Sequence, residues 1–347
     1  MKKERENRRI GLAFSGGVDS AISAALLKKQ GLAVTGIFMR LNDLSLSSER
    51  RARKIAKILH LPFLVLDLRK EFKKKVIDRF LLDSRHGLTP NPCIVCNKEI
   101  KFGLFVKKAI ALDFDSVATG HYAQIKNGQL LAGRDKIKDQ SYFLWRLSTK
   151  NLKKIVFPIG KYTRLEVEKM AQQFKLPFVG VKKSQEICFV PKTIEDFLGS
   201  HLKMRPGKIV DSLGDVLGNH EGLPIYTIGQ RKGIKLSGGP YYVLARDFKK
   251  NNLIVTKNEK DLFKKELFVE QVNWLTDKAP ILPLKINAKI RYRQKAATAV
   301  IVKKLKTGKY KLIFSQAQRA VTPGQSVVFY RGQQVLGGGI ISLNQRS

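Results

Sequence analysis

The sequence predicts a doubly wound α/β domain with a parallel sheet, followed by a small β-rich domain and a C-terminal β-barrel. Three observations carry this. Apolar runs of strand length alternate with helical patterns through the first half, and a tight turn, Ser15-Gly16-Gly17-Val18-Asp19-Ser20, joins the first run to the first helix. Beyond about His201 short apolar segments continue between Gly and Asn turns, without long helical patterns. A chain of 347 residues, 43% hydrophobic, holds two or three domains of about 100–200 residues each. The expected boundaries are 1–200, 201–268 and 269–347.

Ile10 to Phe14 reads as a buried strand and Ala21 to Leu27 as a helix packed on it. Ala33 to Met39 is a second strand, Ser48 to Leu59 a basic helix and Phe63 to Asp67 a third strand. Glu71 to Arg85 has helical spacing. Gly87 to Cys96, with two prolines, reads as an irregular loop, and Asn97 to Leu112 resumes as a helix. Ser116 to Thr119 is another strand. Asn127-Gly128 marks a two-residue hairpin, and Thr163 with Glu166 has capping-box spacing. Segments such as Lys208 to Asp211, Tyr241 to Ala245 and Leu253 to Thr256 form the central β-rich part. Leu284 to Tyr292, Ala297 to Leu305, Tyr310 to Phe314, Ser326 to Tyr330 and Gln334 to Ile341 make the barrel.

The chain carries 66 Lys and Arg against 28 Asp and Glu, a formal charge of +38, which favours a polyanionic partner. No stretch has the roughly 18 consecutive apolar residues of a membrane span. A strand, not a signal-peptide apolar region, follows the basic MKKERENRRI, so the expectation is a cytoplasmic protein with no membrane partner. Its three cysteines, Cys93, Cys96 and Cys188, are too few for a disulfide framework and point to reactive or metal-binding thiols. A structural zinc would need a fourth ligand from five scattered histidines.

The turn after the first strand is built to hold phosphate. Its glycines let backbone approach a ligand, and the helix behind it offers unpaired amides and a positive dipole end. It lacks the Walker spacing and lysine. SGGVDS instead resembles the PP-loop of the ATP pyrophosphatases, of adenine nucleotide hydrolase-like fold, which cleave ATP between the α and β phosphates.

Seven further segments extend the resemblance: TPNPCIVCNKEIKFG, ATGHYA, KDQSYFLW, SQEICFV, YTIGQRKG, RYRQ and VTPGQSVVFY. In this order, across nearly the whole chain, they resemble the bacterial tRNA-specific 2-thiouridylases. That resemblance implies ATP-dependent replacement of the C2 oxygen of the wobble uridine by sulfur. Its cofactors would be ATP with Mg2+. Its partners would be tRNA, a sulfur-donor protein (a persulfide relay or a cysteine desulfurase) and a cellular reductant.

Residue by residue, the resemblance makes Cys188 the persulfide carrier and Cys96 its nucleophilic partner, ending as a Cys96–Cys188 disulfide. Ala13, Phe14, Ser15, Gly16, Gly17, Val18, Asp19, Ser20, Met39 and Gly120 match ATP-contacting positions. Asn91, Pro92 and Cys93 match the segment that meets the target base. His121, Lys138, Asp139, Gln140, Arg291, Tyr292 and Gln325 match tRNA contacts.

Two departures stand out. Many family members carry Asp where Cys93 stands, and relatives often have a longer acidic loop where this chain has Leu41 to Ser48. Cys93 opens a second route, in which Cys93, Cys96 and Cys188 hold a 4Fe-4S cluster that binds sulfide. Both thiols of the persulfide route are expected in electropositive surroundings, with Lys98, Lys101, Lys182 and Lys183 near in sequence. Two other functions fit parts of the pattern: a PP-loop amide ligase acting on a small acid, and a non-catalytic RNA-binding protein.

Overall fold

The structure, a computed structural model, describes residues 8–177 and 187–342. Its first sheet contains β1 (Arg9–Ala13), β2 (Ala33–Arg40), β3 (Phe63–Asp67) and β4 (Ser116–Thr119). After a hairpin of β5 (Ala123–Lys126) and β6 (Gln129–Ala132), β7 (Ile155–Val156) completes it. The order is β3-β2-β1-β4-β7 and every pairing is parallel. β1 is central because Ile10 and Leu12 pack with the helix Val18–Lys29 while Gly11 admits Ile37 and Phe114 on the other face. The strand order reverses between β1 and β4, so the ligand crevice of such a sheet lies at their carboxyl ends.

One expectation is corrected here. Gly87 to Cys96 is not loop throughout: Pro92–Cys96 is a helical turn. Asn91 caps it, its Oδ1 accepting the Cys93 N–H at 3.2 Å, and Pro92 occupies the first helical position, where a missing N–H costs no bond. The C-x-x-C therefore lies on a helix, which continues through π-turns at Asn97–Leu104 into Phe105–Ala111. Gly103 permits this widening, since a Cβ there would lie 2.7 Å from the Lys98 carbonyl oxygen. The hairpin and capping box occur as expected, with Asn127 and Gly128 both at positive φ and Thr163 and Glu166 bonded reciprocally.

The central sheet contains β8 (Gly207–Val210), β9 (Val216–His220), β10 (Tyr242–Asp247) and β11 (Asn252–Thr256), in the order β10-β11-β8-β9. The barrel contains β12 (Phe263–Trp274), β13 (Leu284–Lys289), β14 (Ala297–Lys304), β15 (Tyr310–Arg319), β16 (Ser326–Arg331) and β17 (Gln334–Ser342). Their order is β12-β15-β14-β13-β16-β17, closed by pairing of β12 with β17. β12 runs through the boundary expected at 268/269, and its first residues already pair with β15, so the barrel sheet begins at Phe263.

The first domain and the barrel share a core. The β5–β6 hairpin adds to the barrel sheet through Leu131 and Gln334, while Tyr142 and Trp145 pack with Val328, Tyr330 and Val335. Tyr142 Oη donates to the Ser326 carbonyl at 2.8 Å. Gly338 makes room for the indole, since a Cβ there would stand 2.9 Å from Trp145 ring atoms.

Candidate active site

At the crevice, the backbone of Gly16 has φ +70°, and a Cβ on it would lie 2.6 Å from Ala52 Cα in the helix Leu46–Ile58. Glycine is thus required twice over, by conformation and by the helix packed behind the turn. Gly17 caps the helix Val18–Lys29 with extended backbone. Ser20 Oγ donates to the Gly17 carbonyl at 2.9 Å and lies 3.3 Å from Ser15 Oγ, whose residue is exposed. Phe14 and Val18 turn into the core, and the Phe14 N–H donates to the Ile37 carbonyl. Gly120 ends β4 against this turn, where a Cβ would come within 2.9 Å of the Asp19 carbonyl carbon and 3.0 Å of Ser20 N. Ala13, half-buried, pairs with Ile37 and Thr119, and Met39 is half-buried at the carboxyl end of β2. All ten expected ATP positions therefore border one end of the sheet.

The three thiols gather on the adjoining side. Cys96 is buried with Ile100, Phe72, Phe80 and Phe189, and Ile187 and Met39 pack on the same cluster. Cys188 is exposed, Cys93 half-buried, and all three are free. The Cys188 carbonyl accepts Asn42 Nδ2 at 3.5 Å, tying its turn to the segment after β2. Cys93 and Cys96 both feel the charge of Cys188, and all three feel Lys101.

The expectation of thiolate-favouring surroundings is corrected. Desolvation by surrounding atoms raises all three thiols, even that of Cys188, whose residue still reaches solvent; Cys96 rises to about 12, and the effect outweighs the opposing pull of Lys101. Lys98 is paired with Glu99 at 3.4 Å, while Lys182 and Lys183 lie outside the described residues. Among the described residues no group of three His, Cys, Asp or Glu side chains is arranged to hold a metal, so the thiols as placed do not fit a cluster cage.

Among the seven positions matching tRNA contacts, Arg291, Tyr292 and Gln325 serve joints between domains. Lys138 is exposed, but Asp139 is buried and accepts from Gly133 N, Ser141 N and Ser141 Oγ at 2.9–3.0 Å. Gln140 Oε1 accepts the Tyr122 N–H at 3.0 Å. His121 is buried against Phe102 and Phe157 with Nδ1 2.7 Å from Thr119 Oγ1; burial, then Lys101, holds it well below the usual imidazole range and so neutral. Arg291 donates to the Ile228 carbonyl at 3.0 Å and Thr322 Oγ1 at 2.9 Å, bridging the central domain and the barrel. Tyr292 packs on Phe143 at 4.4 Å, and Gln325 Nε2 donates to the Thr89 carbonyl at 2.9 Å.

Three side chains near the site, Tyr122, Arg164 and Arg246, were given no role by the sequence. Tyr122 Oη and Arg164 Nη1 reach Asp19 Oδ1 at 2.9 and 2.8 Å, from segments far along the chain. Arg246 reaches the segment before Asn91 from β10. Thr163 marks the start of the helix that carries Arg164, but only the fold aims that side chain.

The sequence matches the family described as tRNA methyl transferase HUP domain over residues 8–192. It also matches the tRNA methyl transferase PRC-barrel domain over 195–257 and the aminomethyltransferase beta-barrel domain over 264–341. It is 42% identical over 340 residues to the tRNA-specific 2-thiouridylase MnmA of Syntrophomonas wolfei, covering 96% of this chain and 99% of that one. To the enzyme of the same name from Moorella thermoacetica it is 43% identical over 352 residues, covering 95% and 98%. The Clostridioides difficile relative, again of that name, is 42% identical over 357 residues, covering 96% and 98%. The domain descriptions speak of methyl transfer, but the relatives matched from end to end are thiouridylases. Likeness over the whole length decides between them: the chain belongs to the tRNA-specific 2-thiouridylase family.

Proposed function

We propose that this tRNA sulfurtransferase replaces the C2 oxygen of the wobble uridine with sulfur in two stages, adenylation by ATP and transfer from a persulfide on Cys188. A uridine carbonyl oxygen is a poor leaving group. Attack of that oxygen on the α-phosphate of ATP held at Ser15–Ser20 expels pyrophosphate and turns the oxygen into part of an AMP leaving group. The terminal persulfide sulfur on Cys188 then attacks C2, and AMP departs. Cys96 attacks Cys188 Sγ, forms the Cys96–Cys188 disulfide and expels the electron pair onto the new C2 thiolate. A two-electron reductant restores both thiols, and a donor protein reloads Cys188.

One observation carries this reading: buried Cys96 and the turn of exposed Cys188 share a cluster on which Met39, from the sheet edge that bears the glycine turn, also packs. Exposure suits Cys188 to loading by another protein, and burial suits Cys96 to a step inside the closed site. Among the described residues no group of three potential metal ligands converges, which favours the persulfide route over a three-cysteine cluster. If Mg2+ accompanies ATP, Asp19 is the carboxylate of the turn able to meet it, and the ion would neutralise phosphate charge. The basic composition suits tRNA, a substrate consistent with a cytoplasmic enzyme, and the described residues contain no helix long and apolar enough to cross a membrane.

The test is Cys188→Ser in the full chain with tRNA, ATP and a persulfide donor. Thiolation is expected to stop while tRNA binding persists, and AMP and pyrophosphate form only with tRNA present. Continued thiolation by this variant refutes the proposal. Turnover of a small acid without RNA would favour the amide-ligase reading, and failure to bind ATP the non-catalytic one.

A further inference from the structure

Asp19 is the acidic residue of the glycine turn, and its partners are built with care. Oδ1 accepts from Tyr122 Oη at 2.9 Å and from Arg164 Nη1 at 2.8 Å. Arg164 opens the helix Arg164–Gln173, which packs against Val18–Lys29. Its own N–H donates to Asp135 Oδ2 at 2.8 Å. The other oxygen of Asp135 accepts from the N–H groups of Ile137 at 2.9 Å and Lys138 at 3.0 Å. One carboxylate outside the turn thus anchors two cationic residues, and both act on Asp19: Arg164 by contact, Lys138 through its charge. Glu168 Oε1, one helical turn on, accepts Arg164 Nε at 2.7 Å. The side chain keeps 32% of its surface exposed beside the turn.

A carboxylate in a phosphate-binding turn repels a polyphosphate unless a cation stands beside it. An arginine suits this place because its planar fork meets phosphate oxygens in pairs. We propose that Arg164 is a further substrate-contacting residue of the reaction, taking the β- and γ-phosphates of ATP, the pyrophosphate leaving group, while Asp19 is held beside it. This rests on the ATP reading of the glycine turn. As the uridine oxygen bonds to the α-phosphorus and the α–β bridging bond breaks, the electron pair passes to pyrophosphate. The guanidinium stands where that charge develops. Asp135 and Glu168 are positioning residues, one fixing the backbone of Arg164 and the other its Nε.

The experiment is equilibrium binding of ATP, AMP and inorganic pyrophosphate to the full chain and to Arg164→Ala and Arg164→Lys. Arg164→Ala is expected to weaken ATP and pyrophosphate by about 10- to 100-fold, the worth of charged hydrogen bonds. AMP, which lacks both phosphates, is expected to stay within about twofold on the same reasoning. Arg164→Lys, which keeps the charge without the fork, falls between. Unchanged ATP and pyrophosphate binding by Arg164→Ala overturns the assignment. So does a parallel loss of AMP, which would mean that the turn itself had collapsed. Wild-type protein that binds neither nucleotide overturns the ATP reading, and this assignment with it.

Discussion

Replacing Arg246 with methionine isolates one joint of the molecule. Arg246 leaves β10 and donates to the Tyr226 carbonyl at 2.7 Å, the Gly87 carbonyl at 2.8 Å and Thr89 Oγ1 at 3.1 Å. Burial lowers its pKa to about 10, so it remains charged at neutral pH. From the other side the barrel holds the same short strap: Thr89 N donates to the Pro323 carbonyl at 3.0 Å, and Gln325 Nε2 to the Thr89 carbonyl. Asn91, which caps the cysteine helix, lies two residues beyond Thr89. Methionine preserves the stem but strands two carbonyls, at about 1–3 kcal/mol each. Relief from burying a guanidinium offsets part of this, leaving a net cost of about 2–4 kcal/mol.

That cost appears locally. The bonded amides of Leu88, Thr89 and Cys93 are expected to exchange about 30- to 1000-fold faster with deuterium. If Asn91, Pro92 and Cys93 meet the target base as the family resemblance implies, single-turnover thiolation at saturating ATP and tRNA falls by about tenfold or more, because that segment loses its anchor. ATP affinity stays within about twofold, since the glycine turn touches none of these groups. Unchanged exchange refutes the energetic argument. Lost protection with undiminished thiolation refutes the link from strap to chemistry.

Other consequences are equally direct. Gly16→Ala meets both a positive φ, costing about 1–2 kcal/mol, and the Ala52 backbone, so calorimetric ATP binding should vanish; wild-type affinity would refute the packing argument. Iodoacetamide labelling read by mass spectrometry should mark exposed Cys188 first, Cys93 next and buried Cys96 last. Because desolvation raises its thiol, the Cys188 rate should still be climbing at pH 9, and a plateau below pH 8 would contradict this. The folded chain holds the Cys96 proton longer than the unfolded one. That share of stability is present below pH 9.0 and lost as pH rises toward about 12, measurable by denaturation. Filter binding of tRNA should weaken with salt by about 0.7–0.9 log units per neutralised phosphate per log of salt; a flat profile would deny the basic surface its role.

Periodicity and turn chemistry alone determined most elements. Alternating strands and helices required a parallel sheet, Asn127-Gly128 required a hairpin, and Thr163 with Glu166 announced a helix start, because each depends only on neighbours in the chain. The turn at Cys93 reads as loop in sequence because its two prolines outweigh Asn91-Pro92 as cap and first helical residue. What the fold alone decided is which distant groups meet. Cys188, far along the chain, joins Cys93 and Cys96 in one electrostatic neighbourhood, and desolvation, not the count of nearby lysines, sets their protonation. Arg164 faces Asp19 and Arg246 holds Gly87 because helices and sheets carry them there. Local sequence encodes dihedral preference, whereas desolvation and charge pairing depend on separations that exist only once the chain has packed.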